Sequence, residues 1–165
     1  MPSNADSDPG LAPLDVLILR DPRESPKKCS LIPLRGTPGV EFVAYDGAQT
    51  LDAEGRVLLD PEGDLISESD RGLPLLVLDS SWRRLPKLAK TITGEPVRRR
   101  LPKLITAYPR RSKGFEDPSE GLASVEALYA ALVLLGHEDI DYLLDDYLWK
   151  QEFLEANAAA LGTAT

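Results

Sequence analysis

The chain has 165 residues, is 42% hydrophobic and carries a net charge of −8, which fits one folded domain and excludes a disordered chain. A single cysteine, Cys29, and a single histidine, His137, exclude an internal disulfide and leave no cysteine or imidazole cluster for a zinc site. The opening MPSNADSDPGLAP has no basic residue and no apolar run, and no apolar stretch approaches the length of a bilayer span, so a soluble cytoplasmic protein with no membrane partner is expected.

Residues 1–14, polar and proline-bearing, read as a disordered arm; 15–160 then form the domain and 161–165 a tail. DVLILR (15–20) predicts a buried first strand, and the Pro-, Gly- and Lys-rich segment after it a loop. VEFVAYD (40–46) and RVLLD (56–60) are strand candidates, separated by a stretch suited to a short helix or turn. PEGDLISESDRG reads as turn chemistry, and LPLLVLD as the next strand. SSWRRLPKLAK predicts a short helix capped by Ser80 or Ser81 and broken near Pro86. KLITAYP (103–109) predicts the last strand.

ASVEALYAALVLLG is the clearest helix: Val125, Leu128, Leu132 and Leu135 recur at helical spacing, Ser124 stands at its start and Gly136 at its end. A second helix is predicted with Ile140, Leu143, Leu144, Tyr147 and Leu148 as its apolar stripe. Strands alternating with helices imply an α/β domain with a largely parallel sheet flanked by helices.

Charge is segregated along the chain. Between Arg83 and Lys113 eleven cations face one acid, Glu95, whereas from Glu116 to Glu155 Lys150 is the only Lys or Arg among many acids. Such a distribution lets one face attract phosphates while the whole chain stays acidic, and it also suits cations that simply solvate helix faces and a loop. Little standard catalytic chemistry is present. His137, just past a helix end, reads as a C-terminal helix cation, and neither dinucleotide nor triphosphate fingerprints occur. GLASVE is no nucleophile elbow, and no histidine is placed to serve Ser124. There remains LVLDSSWRRL (76–85), where a buried strand ends on Asp79. Ligands of open α/β sheets bind beyond the carboxyl ends of strands, and Trp82 offers a ring to a flat ligand or a cation. An N-capping aspartate followed by a core tryptophan explains the same residues.

SPKKCSLIPL, LDSSWRRL, RRRLPKLITAYP and GLASVEALYAALVLLGH, in that order, together with the distal DDYLWKQEFLEAN, resemble the motifs of the small-subunit ribosomal RNA aminocarboxypropyltransferases. The likeness covers about residues 15–160. It implies a compact SPOUT-like fold related to the knotted RNA methyltransferases, a rare exception to unthreaded topology. The implied cofactor is S-adenosyl-L-methionine, from which the 3-amino-3-carboxypropyl group moves instead of the methyl, onto a uridine-type base of ribosomal RNA with release of methylthioadenosine. By the same resemblance Ser30 and Ser124 match the hydroxyl positions for the cofactor's carboxylate. Leu78 matches the backbone carbonyl for the ribose, and Leu101 and Glu120 the adenine contacts. Trp82 matches the ring lining the methyl's pocket, and Asp79 the acid beside the reacting chain. Lys28, Arg98, Arg99, Arg100, Arg110, Arg111 and Lys113 are the candidate RNA contacts. The implied partner is ribosomal RNA or a small-subunit precursor, and the protein is expected to be a monomer. The sequence departs from the family pattern at Ser80, where the family has cysteine, at Pro33, where it has a basic residue, and over YPRRSKGFEDPSEG. A non-catalytic RNA-binding assembly factor, and transfer to a tRNA uridine, are the alternatives.

Overall fold

The computed structural model describes residues 13–24, 30–81, 83–108 and 122–163. In chain order these residues form strands β1 (Val16–Arg20), β2 (Val40–Ala44), β3 (Leu51–Asp52), β4 (Val57–Leu65), β5 (Leu75–Asp79), β6 (Ile92–Thr93) and β7 (Val97–Arg100). Helices α1 (Leu85–Ala89), α2 (Ser124–Leu134) and α3 (Lys150–Leu161) complete the pattern, with 3-10 turns at Ile32–Leu34, Glu68–Asp70 and Asp141–Leu144.

Five strands form one sheet in the order β2-β1-β5-β4-β7, and every adjacent pair is parallel. Strand alternation sorts the apolar side chains onto two faces. Val16, Ile18, Val57, Leu75 and Val77 enter the larger core, shared with Val125, Leu128, Tyr129 and Leu132 of α2 and Phe153 and Leu161 of α3. The residues between them, Leu17, Leu58, Leu76 and Leu78, meet Leu51, Ala53 and Ile92 around the small parallel β3–β6 sheet on the other side. Both faces are therefore covered, as an all-parallel sheet requires, and the expected α/β sheet flanked by helices is present.

Several sequence expectations are corrected. Of the turn segment PEGDLISESDRG, Glu68–Asp70 and the residues just after it do turn, but Pro61 to Leu65 are the second half of β4. Its pairing with β7 shifts register between Leu59 and Asp64, and a bulge tolerates a proline that a regular ladder would not. Gly63 fits there because a Cβ would lie 2.7 Å from the backbone carbon of Arg98. The stretch between the second and third predicted strands contributes β3, not a helix. Pro86 begins α1 instead of breaking it, with Arg84 at the N-cap in place of either serine; proline suits a first helical turn, whose N–H groups lack intrahelical partners. The second predicted helix starts late: Ile140, Leu143, Leu144 and Tyr147 are buried around a 3-10 turn, Leu148 is 79% exposed, and α3 begins at Lys150.

The described part of KLITAYP, residues 103–108, is not a strand; β7 ends at Arg100. Its backbone is held by side chains from two helices. Asn157 of α3 accepts from the Ile105 amide at 2.7 Å and donates to the Ile105 carbonyl at 2.8 Å. Glu126 of α2, fully buried, accepts from the Ala107 amide at 2.9 Å, the Thr106 hydroxyl at 2.7 Å, the Ala123 amide at 2.8 Å and the Tyr147 hydroxyl at 2.7 Å. A strand-like sequence found other partners for its backbone, since buried backbone groups must be satisfied but need not be satisfied by a ladder.

Glu126→Gln keeps the shape but turns one acceptor into a donor facing donors. Leaving buried polar groups unsatisfied costs about 1–3 kcal/mol, so the melting temperature should fall by roughly 2–10 °C in a thermal scan, with Glu126→Ala falling further.

Candidate functional site

The parallel register of β1 and β5 sets Arg20 opposite Asp79 at the carboxyl ends of both strands. The Asp21 amide continues the pairing by donating to the Asp79 carbonyl at 2.9 Å. Arg20 and Asp79 are both buried, and Arg20 Nε lies 3.4 Å from Asp79 Oδ2. That contact is an ion pair without hydrogen-bond geometry; the rest of the guanidinium donates to the Asp21 and Glu24 carbonyls at 3.3 and 2.9 Å. The arginine thus ties the loop after β1 to the end of β5.

Two further carboxylates crowd this edge. Asp21 is fully buried and accepts from the Arg23 amide at 3.0 Å and from Arg84 Nε. Burial pushes its carboxyl up, but the Arg23 amide and the Arg84 guanidinium together outweigh burial and hold it below the usual carboxylate range. Glu24 moves the other way: burial, then the negative charges of Asp79 and Asp21, push its carboxyl up against the opposing Ser81 amide and Arg20. One edge therefore holds a proton-shy carboxylate and a proton-accepting one within a few residues.

On the helical side of the same edge, Ser30 Oγ accepts from the Val125 amide at 3.0 Å. This brings Ser30, in the turn before Ile32–Leu34, to the first turn of α2 beside Ser124, and both serines are partly exposed. Two hydroxyls and a helix start are chemistry for a carboxylate. Leu78 precedes Asp79 at the end of β5, and Leu101 follows the end of β7. Leu78, Asp79 and Leu101 thus stand at or just past the carboxyl ends of β5 and β7, where ligands of such sheets bind, and Ser30 and Ser124 meet at the start of α2. Those groups suit S-adenosyl-L-methionine: hydroxyls for its carboxylate, acids for its cationic centres, backbone for its nucleoside.

Trp82, Glu120, Lys28, Arg110, Arg111 and Lys113 lie outside the described residues. The three arginines of β7 divide by strand alternation. Arg98 and Arg100 are exposed, Arg98 with Nη1 3.2 Å from Asp60, whereas Arg99 turns inward and donates to buried Asp70 at 2.9 Å. His137 follows the end of α2 as expected, and burial pushes its pKa below the usual histidine value. Arg20, Asp21 and Glu24 were missed from sequence. Their signal was the acid-and-base run RDPRE directly after a buried strand, the same signature that drew attention to Asp79. Among the described residues no group of acids, histidine and cysteine is arranged to hold a metal ion, and no helix is long and apolar enough to cross a membrane.

Comparison with known proteins places this edge in context. The family described as ribosome biogenesis protein, C-terminal, matches residues 56–164. A curated 16S rRNA aminocarboxypropyltransferase of Vulcanisaeta distributa is 33% identical over 156 residues, spanning 86% of this chain and 77% of the relative. One of Thermoplasma acidophilum is 30% identical over 143 residues, spanning 82% and 80%. The solved structure of the SAM-dependent rRNA:acp-transferase from Vulcanisaeta distributa aligns with a TM-score of 0.70 at 31% identity, covering 90% of this chain and 81% of that one. Sequence and backbone agree over nearly the whole domain, and the chain belongs to the family of 16S rRNA aminocarboxypropyltransferases.

Proposed function

We propose that this protein transfers the 3-amino-3-carboxypropyl group of S-adenosyl-L-methionine to a uridine-type base in ribosomal RNA. The observation that carries the reading is the meeting of Ser30 with the first turn of α2, in a chain whose relatives are transferases of this kind. When bound, the cofactor supplies a sulfonium whose aminocarboxypropyl carbon is the electrophile.

The chain's own groups then divide the work. Ser30 and Ser124 hold the amino-acid carboxylate, and backbone at Leu78 and Leu101, with Glu120, holds the nucleoside. Trp82 encloses the methyl, so that orientation decides which of three carbons is open to attack. In that transfer the base nitrogen would bond to the carbon, the sulfur would leave with the nucleoside as methylthioadenosine, and the nitrogen's proton would have to be taken up. Asp79 accepts that proton or steers the positive centre; Arg20 fixes its position. Arg98 and Arg100, with Lys28, Arg110, Arg111 and Lys113, bind phosphates, each contact contributing about −0.7 to the salt slope on single-stranded RNA. Arg99 is the weakest of the proposed contacts, since Asp70 already engages its guanidinium.

The protein incubated with S-adenosyl-L-methionine and small-subunit rRNA should release methylthioadenosine, detected chromatographically. S-adenosylhomocysteine alone would mean methyl transfer, and RNA binding without cofactor binding would mean an assembly factor. Ser30→Ala and Ser124→Ala should each raise the cofactor Kd about tenfold by calorimetry, the scale of one hydrogen bond to a charged group. Asp79→Asn should slow transfer on the order of a hundredfold while RNA affinity holds; equal losses of both would assign it a structural role only.

Crowded carboxylates at this edge favour function over stability. Because Glu24 is pushed up from its usual value of 4.5, the folded state binds its proton more tightly than the unfolded state. Its contribution is most favourable below that value and declines as pH rises through the folded pKa. Glu24→Gln should therefore stabilise the protein at neutral pH, and denaturant titrations should show the gain vanishing in acid.

A further inference from the structure

A cleft of about 470 Å³ opens beside this edge, lined by Asp21, Pro22, Arg23, Tyr45, Asp46, Arg84 and Lys87. Its volume lies within the range of small-ligand sites, and no residue assigned above to the cofactor lines it. Strand order explains the separation. Leu78 and Leu101 stand at the ends of β5 and β7, whereas Tyr45 follows β2 at the opposite edge, with β1 between β2 and β5. The Tyr45 amide donates to the Arg20 carbonyl at 2.9 Å, and Arg20 is the register partner of Asp79. Two strand spacings of about 4.8 Å therefore separate the backbones of Tyr45 and Asp79.

The lining has a specific chemistry. Arg84 is anchored by the buried Asp21 carboxylate, and its guanidinium carbon lies 5.9 Å from the centre of the Tyr45 ring, within cation–π range. Arg23 and Lys87 bring further positive charge from the loop after β1 and from α1. Asp46 is exposed and already accepts from the Ala48 and Gln49 amides at 2.8 and 2.7 Å. A phosphate beside Asp46 would be repelled, so a neutral ring suits the Tyr45 side and the phosphate belongs near Arg23 and Lys87. An aromatic ring with an arginine over one face, the other face left for a base, and cations beyond is the composition of single-stranded nucleic-acid platforms.

We infer that the Tyr45–Arg84 cleft seats a nucleobase of the acceptor RNA, neighbouring the base modified at Asp79, with its phosphate on Arg23 and Lys87. The inference rests on the RNA-modifying function proposed above and adds to it a second, non-reacting contact that sets which nucleotide reaches Asp79. The acceptor strand enters from the β2 side, and the cofactor occupies the β5–β7 side.

The test measures binding of a small-subunit rRNA transcript by fluorescence anisotropy at several salt concentrations, with S-adenosyl-L-methionine affinity measured in parallel. Tyr45→Ala should weaken RNA binding about tenfold or more, the worth of one base–aromatic stack, with the salt slope and cofactor affinity unchanged. Tyr45→Phe, which keeps the ring, should bind as the parent does. Lys87→Gln should reduce the magnitude of the salt slope by about 0.7. Parent-like RNA binding by Tyr45→Ala, or equal loss in Tyr45→Ala and Tyr45→Phe, would overturn the seat while leaving the transferase reading intact. Loss of cofactor affinity alongside RNA affinity would overturn it too, by showing that Tyr45 only supports the sheet edge. A parent protein that binds the cofactor but no RNA would overturn the proposed substrate, and the seat with it.

Discussion

The fold depends on one buried carboxylate. Glu126, in the first turn of α2, accepts hydrogen bonds from four donors: its own helix start, two neighbours in the segment after β7, and Tyr147. A carboxylate with no exposure is tolerated only when its oxygens are so occupied. The price is that all of these segments must be in place together. In return α2 begins at a fixed point relative to the strand ends, and that point is where Ser30 meets the Val125 amide. The helix start that suits a ligand carboxylate is held by an internal carboxylate one turn away.

The sheet supplies the other half of the geometry. Parallel pairing places the ends of β1 and β5 side by side, so residues at strand ends become neighbours by register and not by proximity in the chain. Arg20 and Asp79 are 59 positions apart yet directly opposed. Around them Asp21 and Glu24 show how neighbours divide the behaviour of one chemical group. Asp21 has an amide and a guanidinium to hold its charge, whereas Glu24 faces two other acids. Such divergence is what a site handling both cations and a proton requires.

The fold was legible where a local pattern coincides with a local cause. The strands ending in Arg20 and Asp79 and the helix starting at Ser124 announce themselves by apolar runs and periodicity, and each appears within two residues of its expected bounds. The readings that failed had remote causes. KLITAYP alternates like a strand, but its partners are Asn157 and Glu126, contributed by helices far along the chain. Pro61 and Gly63 spell a turn, yet β7 holds that segment in a strand with a bulge. The site was legible in a different sense. Its residues at Ser30, Leu78, Asp79, Leu101 and Ser124 came from motif resemblance; the fold joins Ser30 to the start of α2 and sets Leu78 and Asp79 at the end of β5. Arg20 and Glu24, which no motif marked, gain their character only from the register and from the acids packed beside them.

Charge is the clearest case of sequence and structure measuring different things. Eleven cations in a short span suggest a broad field, but several are engaged within the protein. Arg84 holds Asp21, Arg99 holds Asp70, and Arg98 lies beside Asp60. The pairs with buried aspartates neutralise charges that folding has removed from water, so they act on the architecture of the edge more than on its surroundings. Among the described residues, what reaches solvent is narrower than the count implies: a fixed guanidinium beside a tyrosine, Arg98 and Arg100 on the outer face of β7, and lysines on flexible stems. At that edge Asp21 and Asp79 are paired with Arg84 and Arg20, which removes part of the repulsion a polyanion would meet there, whereas Asp46 stays exposed.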